Sequence, residues 1–140
     1  MANITETVVN IATGETTQRT VADFRVPPNA AALKAYAAQK RWEKEMGGMT
    51  VGGMPIKTDT EARVKIRELK DNIASGKLSA PYRFKAVSGW VAIDEATLTA
   101  VYDAIVQFVD DCFTTEDTVS QSIDARTITT FAAIDAAFAE

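Results

Sequence analysis

The chain has no histidine among its 140 residues. That absence removes Ser–His and Cys–His activation of a nucleophile, imidazole-based zinc sites, and the side chain that most often acts as general base near neutral pH. It has one cysteine, Cys112, which excludes an intrachain disulfide and a multi-cysteine zinc site. Cys112 falls in an apolar helical stripe, where cysteine ordinarily packs as a small hydrophobe; a reactive or intermolecular thiol is the other reading. No apolar run approaches the ~20 residues of a membrane-spanning helix. The opening residues, Met1-Ala2-Asn3-Ile4-Thr5-Glu6, lack the basic and apolar blocks of a signal peptide, so synthesis in a cytoplasm is expected. The glycines between Gly47 and Gly53 do not spell a phosphate loop. No cofactor or metal is expected.

What is present reads as an α+β domain. At 46% hydrophobic and 24% charged the composition is that of a globular protein. A net charge of −4 argues against nucleic acid as a partner. Basic residues cluster at Lys40, Arg41 and Lys44 and again at Arg63, Lys65, Arg67 and Lys70. Acids are interspersed in both clusters, which predicts solvated helix faces.

Residues 3–22 are rich in β-branched residues around a turn at Ala12-Thr13-Gly14-Glu15, which predicts a hairpin. Its few large apolar residues, among them Val8, Val9, Ile11 and Val21, give it little core of its own, so a partner sheet is expected. Pro27-Pro28 then stiffens the chain. The organisation predicted is an arm and linker over 1–28 and an α+β domain over 29–140. A helix is predicted over about 30–46, capped by Asn29 and ended by Gly47-Gly48. A second hairpin turns at Gly52-Gly53. Thr58-Asp59-Thr60-Glu61 fits a capping box, opening a helix over about 59–74 with Val64, Ile66, Leu69 and Ile73 facing the core. A third hairpin spans Tyr82–Ile93 with its turn at Val87-Ser88-Gly89. There Tyr82, Phe84, Ala86, Trp90 and Ala92 share the inward face. Core packing is expected of Tyr82, Phe84 and Trp90; a sugar- or base-stacking platform is the alternative.

The longest element follows the N-cap Asp94. Leu98, Tyr102, Ile105, Val109, Cys112, Glu116, Val119 and Ile123 recur at alternating spacings of four and three, the seam of a heptad repeat. Val101, Val106, Phe108 and Phe113 broaden the stripe. Two readings stand: an intramolecular core, or a seam between chains. Glu116 within it either fixes register or lies at the rim with its carboxylate in water. A short helix over 127–138 carries Ile128, Phe131, Ile134 and Phe138. The carboxylate pairs Asp110-Asp111 and Glu116-Asp117 point roughly 100° apart on a helix, so neither converges on one reacting atom. Asp103 and Asp110 share a face, two turns apart, and read as a solvated flank.

Gly47-Gly48 through Ile56, Thr58-Asp59, Tyr82-Arg83-Phe84-Lys85 with Gly89-Trp90-Val91, and Cys112-Phe113 followed by Glu116 resemble, in order and spacing, the DUF4376 domain of bacteriophage tail-associated proteins. The resemblance covers roughly 40–138; Ala62 departs from it, where a serine would follow the helix start. It implies a phage tail, baseplate or fibre context and brings no enzymatic activity with it. Three functions follow as expectations. The first is a structural virion protein, made in the host cytoplasm, homo-oligomeric and bound to other tail, baseplate or fibre proteins, with neither nucleic acid nor membrane as partner. The second is a non-virion assembly chaperone for tail fibres, and the third a carboxylate-based hydrolase. The interface expected for the first comprises Val8, Val9, Ile11 and Val21 of the arm with Leu98, Tyr102, Ile105, Val109, Glu116, Val119 and Ile123 of the long helix.

Overall fold

The computed structural model describes residues 3–22 and 26–139, the side chains of residues 21 and 22 excepted. In chain order these form β1 (Asn3–Val9), β2 (Thr16–Ala22), α1 (Ala30–Met46), β3 (Met49–Val51), β4 (Met54–Ile56), α2 (Thr60–Ala74), β5 (Tyr82–Ala86), β6 (Gly89–Ile93), α3 (Glu95–Asp124) and α4 (Phe131–Phe138). The fold is α+β. Its three sheets are separate antiparallel hairpins, β1–β2, β3–β4 and β5–β6.

Each helix begins on a side chain that accepts from its first turn, satisfying a backbone N–H that has no intrahelical partner. Asn29 accepts from Ala32 N at 2.8 Å, Asp94 from Thr97 N at 2.7 Å and Thr130 from Ala133 N at 3.1 Å. For α2 the expected capping box is replaced. Asp59, one residue later, accepts from Ala62 N at 2.8 Å. Thr58 is instead buried, donating to the Glu45 carbonyl at 2.7 Å and accepting from Gly48 N at 2.9 Å. It thus ties the end of α1 to the strand that precedes α2. Gly48, at φ +90°, lies where a Cβ would sit 3.0 Å from the Ile56 carbonyl oxygen. Only glycine fits that approach without displacing backbone.

Two cores hold the domain, and α3 belongs to both. Its first half sends Leu98, Val101 and Ile105 against Ile56 of β4, Ile66 of α2, Tyr82 of β5 and Ile93 of β6. Its second half sends Val119 and Ile123 against Leu33 and Ala37 of α1 and Ile134 and Phe138 of α4. At the second core the Tyr36 ring packs at a 57° tilt against Phe131, ring centroids 4.7 Å apart, and its hydroxyl donates to Asp135 at 2.6 Å. Of the α2 residues expected to face the core, Ile66 is fully buried, Leu69 and Ile73 partly, while Val64 is exposed.

The third hairpin corrects the sequence reading. Ala86 pairs with Gly89, so the turn is Val87-Ser88 alone. That shortens the expected turn by one residue and reverses the face of the returning strand, since side chains alternate with a period of two. Tyr82, Phe84 and Ala86 do face inward, but their partners there are Val91 and Ile93, not Trp90 and Ala92. Trp90 is 73% exposed and stands opposite Lys85 on the outer face.

Candidate interaction surfaces

The arm is a seven-rung antiparallel ladder whose register runs from Asn3↔Ala22 to Val9↔Thr16. Its turn is tied by Asn10, whose N–H donates to Glu15 O at 2.8 Å and whose carbonyl accepts from Gly14 N at 2.7 Å. A cross-strand pair, Glu6 with Arg19, reinforces one face. Val8 and Val9 are exposed, and Ile11 at the tip is 99% exposed. Val21 lies in β2, but its side chain is outside the described residues. A two-stranded sheet has two edges of unpaired backbone groups, and such edges accept another strand.

The seam expected between chains on α3 is taken up within one chain. Leu98, Ile105, Cys112, Val119 and Ile123 are buried, and Tyr102, Val109 and Glu116 partly so. The broad apolar surface found room for α2 and the hairpins at one end and for α1 and α4 at the other. No described residue of that seam remains as an open apolar ridge, which favours the intramolecular core of the two readings.

Glu116 joins an ionic chain that the sequence reading missed. Arg41 of α1 donates to it at 2.7 Å and to Glu45, one turn further along α1; Arg63 of α2 forms an ion pair with the other Glu45 oxygen at 2.8 Å. Glu45 is only 5% exposed. The Arg41 guanidinium also lies 4.4 Å from the centre of the Phe113 ring. Three helices are thereby cross-linked by two arginines and two glutamates whose charges balance. Arg41 and Arg63, expected on solvated faces, are instead partly buried structural cations. The readable signal was the i, i+4 spacing of Arg41 and Glu45; nothing local pointed to Arg63.

A groove of about 770 Å³ opens between α2 and the β5–β6 hairpin, lined by residues from both faces of that hairpin. Phe84 and Leu69 contribute apolar walls, Trp90 a projecting ring, and Lys57, Lys65, Arg83 and Lys85 positive charge. Two acids line it as well. Asp59 is engaged as the α2 cap, and Glu61 is paired with Lys65. Lys85 lies 5.8 Å from the Trp90 ring centre, a loose cation–π contact. The turn of β5–β6 is anchored beside it, Val87 N donating to the Pro55 carbonyl at 3.2 Å. Of the aromatics considered as a platform, Trp90 and Phe84 face this groove, while Tyr82 is in the core. Its size is that of a ligand- or side-chain-binding cleft.

Among the described residues, no group of three acids or cysteines is placed to hold a metal ion, and no helix is long and apolar enough to cross a membrane. The family described as "Domain of unknown function (DUF4376)" matches residues 28–138. No curated protein and no solved structure matches the chain.

Proposed function

The chain belongs to the DUF4376 family, and on that premise we propose that it is a non-catalytic structural component of a bacteriophage virion, associated with the tail, baseplate or fibres, whose work is to join proteins. The observation that carries the joining role is the arm, a hairpin with two open edges and exposed Val8, Val9 and Ile11. A hairpin of this kind is marginal alone and is completed by a neighbour's strand. The virion context rests on the resemblance of the 40–138 segment to tail-associated proteins. The partners are other tail, baseplate or fibre proteins and further copies of the chain; the acidic composition disfavours nucleic acid. The non-catalytic reading is supported by how the acids are used, with Glu45 and Glu116 bound to arginines and Asp59 and Asp94 spent as caps.

Mass spectrometry of purified particles, with copies counted against a tail protein of known number, tests the location. A fixed stoichiometry is expected; absence from particles, with presence in infected-cell lysate, overturns it in favour of an assembly chaperone. Shortening the chain to begin at Pro27 tests the arm. Loss of incorporation is expected with the body still folded, and full incorporation would remove the arm from the contact.

A further inference from the structure

The groove and one face of α3 are complementary in chemistry. In a chain of net charge −4, the groove gathers four cations against two acids, and both acids are already engaged. Lys57, Arg83 and Lys85 form no ion pair among the described residues. Beside them stands Trp90, the most exposed aromatic ring in the domain. A basic rim around an apolar floor selects an acidic surface that carries apolar side chains.

Such a surface is present on the chain itself. Asp103, Val106, Asp110, Phe113 and Asp117 recur along α3 at spacings of three, four, three and four, and all five are exposed. They line one stripe of the helix, distinct from the buried seam, and alternate acid with apolar over about 21 Å. Val106 and Phe113 are about half exposed despite their size. Asp103 and Asp110 have no hydrogen-bond or ion-pair partner among the described residues, while Asp117 accepts only from Gln121. Within one chain the groove is open and so is the stripe, apart from the Arg41 guanidinium on one side of the Phe113 ring, so neither covers the other.

We infer that the groove of one copy receives the α3 stripe of a second copy. Phe113 and Val106 enter against Phe84 and Trp90, and the aspartates meet Lys57, Arg83 and Lys85. Because the two surfaces differ, the contact is heterologous, and its repetition gives a ring or an open filament according to the rotation between copies. This rests on the assembly reading above only for its setting; self-association of the pure protein is measured without particles, so either can fail alone.

The test is sedimentation velocity of the full chain across concentration, at low and at high salt. Wild type is expected to associate at low salt and to shift toward monomer at 0.5–1 M salt, where the Debye length falls to roughly 3–4 Å. The variant Arg83→Glu/Lys85→Glu and the variant Asp103→Lys/Asp110→Lys should each sediment as monomers with unchanged circular dichroism, since all four positions are exposed. Mixing the two variants in equal amounts should restore association, because each reversed surface now meets its complement. A wild type that stays monomeric, single variants that associate like wild type, or a mixture that stays monomeric overturns the inference. So does saturable binding of poly-glutamate or an anionic polysaccharide by a protein that does not self-associate, which would assign the groove to another acidic partner.

Discussion

Arg63 of α2 and Glu45 of α1 meet at 2.8 Å although a whole hairpin separates them in the sequence. Glu45 is nearly inaccessible and serves Arg41 as well. Removing it would leave two partly buried guanidinium groups facing one another. Glu45→Ala is therefore expected to cost about 3–5 kcal/mol, the range for breaking a buried pair from one side. Urea titration followed by circular dichroism reads this directly. Glu61→Ala, which breaks the exposed Lys65 pair, should change stability by less than about 1 kcal/mol. Similar losses for the two would show that burial is not what gives Glu45 its weight.

Thr58→Val keeps the shape of a buried side chain while deleting the hydroxyl that serves both the Glu45 carbonyl and Gly48 N. With two backbone groups left unpaired, a loss of about 1–3 kcal/mol is expected. Asp59→Ala removes the α2 cap and should cost about 1 kcal/mol. Equality of Thr58→Val with wild type would show that the hydroxyl serves neither backbone group.

Both tryptophans face solvent, Trp42 at 55% and Trp90 at 73% exposure. Trp90→Ala should therefore leave stability within about 0.5 kcal/mol of wild type. In the monomer at high salt, the native fluorescence maximum should lie close to that of the urea-unfolded chain, and acrylamide should quench the native protein efficiently. A blue-shifted native spectrum that moves red on unfolding would place Trp90 or Trp42 in a covered site.

Val119 is buried between α1 and α4, inside the chain's own second core. Val119→Asp places an unpaired carboxylate there, at a cost of several kcal/mol. The expected outcome is loss of the folded monomer in circular dichroism, not dissociation of folded subunits in sedimentation. Folded monomers would instead restore α3's seam as a contact between chains.

Burial raises the Cys112 thiol above its ordinary range, desolvation of the thiolate being the main cause. A group whose folded pKa lies above its unfolded value contributes stability below the unfolded pKa and loses it as pH rises through the folded one. Protection should thus weaken only under alkaline conditions. Reaction with a disulfide reagent at pH 8 should be slow for the native chain and fast in urea, with a midpoint matching that of unfolding. Rapid native labelling would contradict its place against the core.

Element order was legible because the punctuation is local. Asn29, Asp94 and the Gly52-Gly53 pair act within a few residues of themselves, so their roles can be read from the string. The heptad spacing on α3 correctly marked a buried seam, but not whose surface covers it, because α1 and α2 arrive from distant parts of the chain and α4 folds back on it from the next turn. The Trp90 reading failed on one residue of turn length. Val87-Ser88-Gly89 and Val87-Ser88 are equally good turns in composition, and only the Ala86↔Gly89 pairing, with Val91 and Ile93 fitting the core, decides between them. Glu45 and Arg63 looked like ordinary surface charges because burial of a charge depends on a partner that no local pattern announces. For the same reason, the cations of the groove were legible as residues and not as a cluster.

The shared helix has a mechanical consequence. At 30 residues α3 is, among the described elements, the one that contributes buried side chains to both the Leu98 core and the Ile123 core. If either core opens, the half-helix released has about fifteen residues, a length that is marginal in water without packing. Fraying would then run toward Cys112 and the Arg41–Glu116 link and loosen the opposite core from below. The domain is thereby built to melt in one step despite having two centres, and the amides near the middle of α3 should be the last to exchange with deuterium.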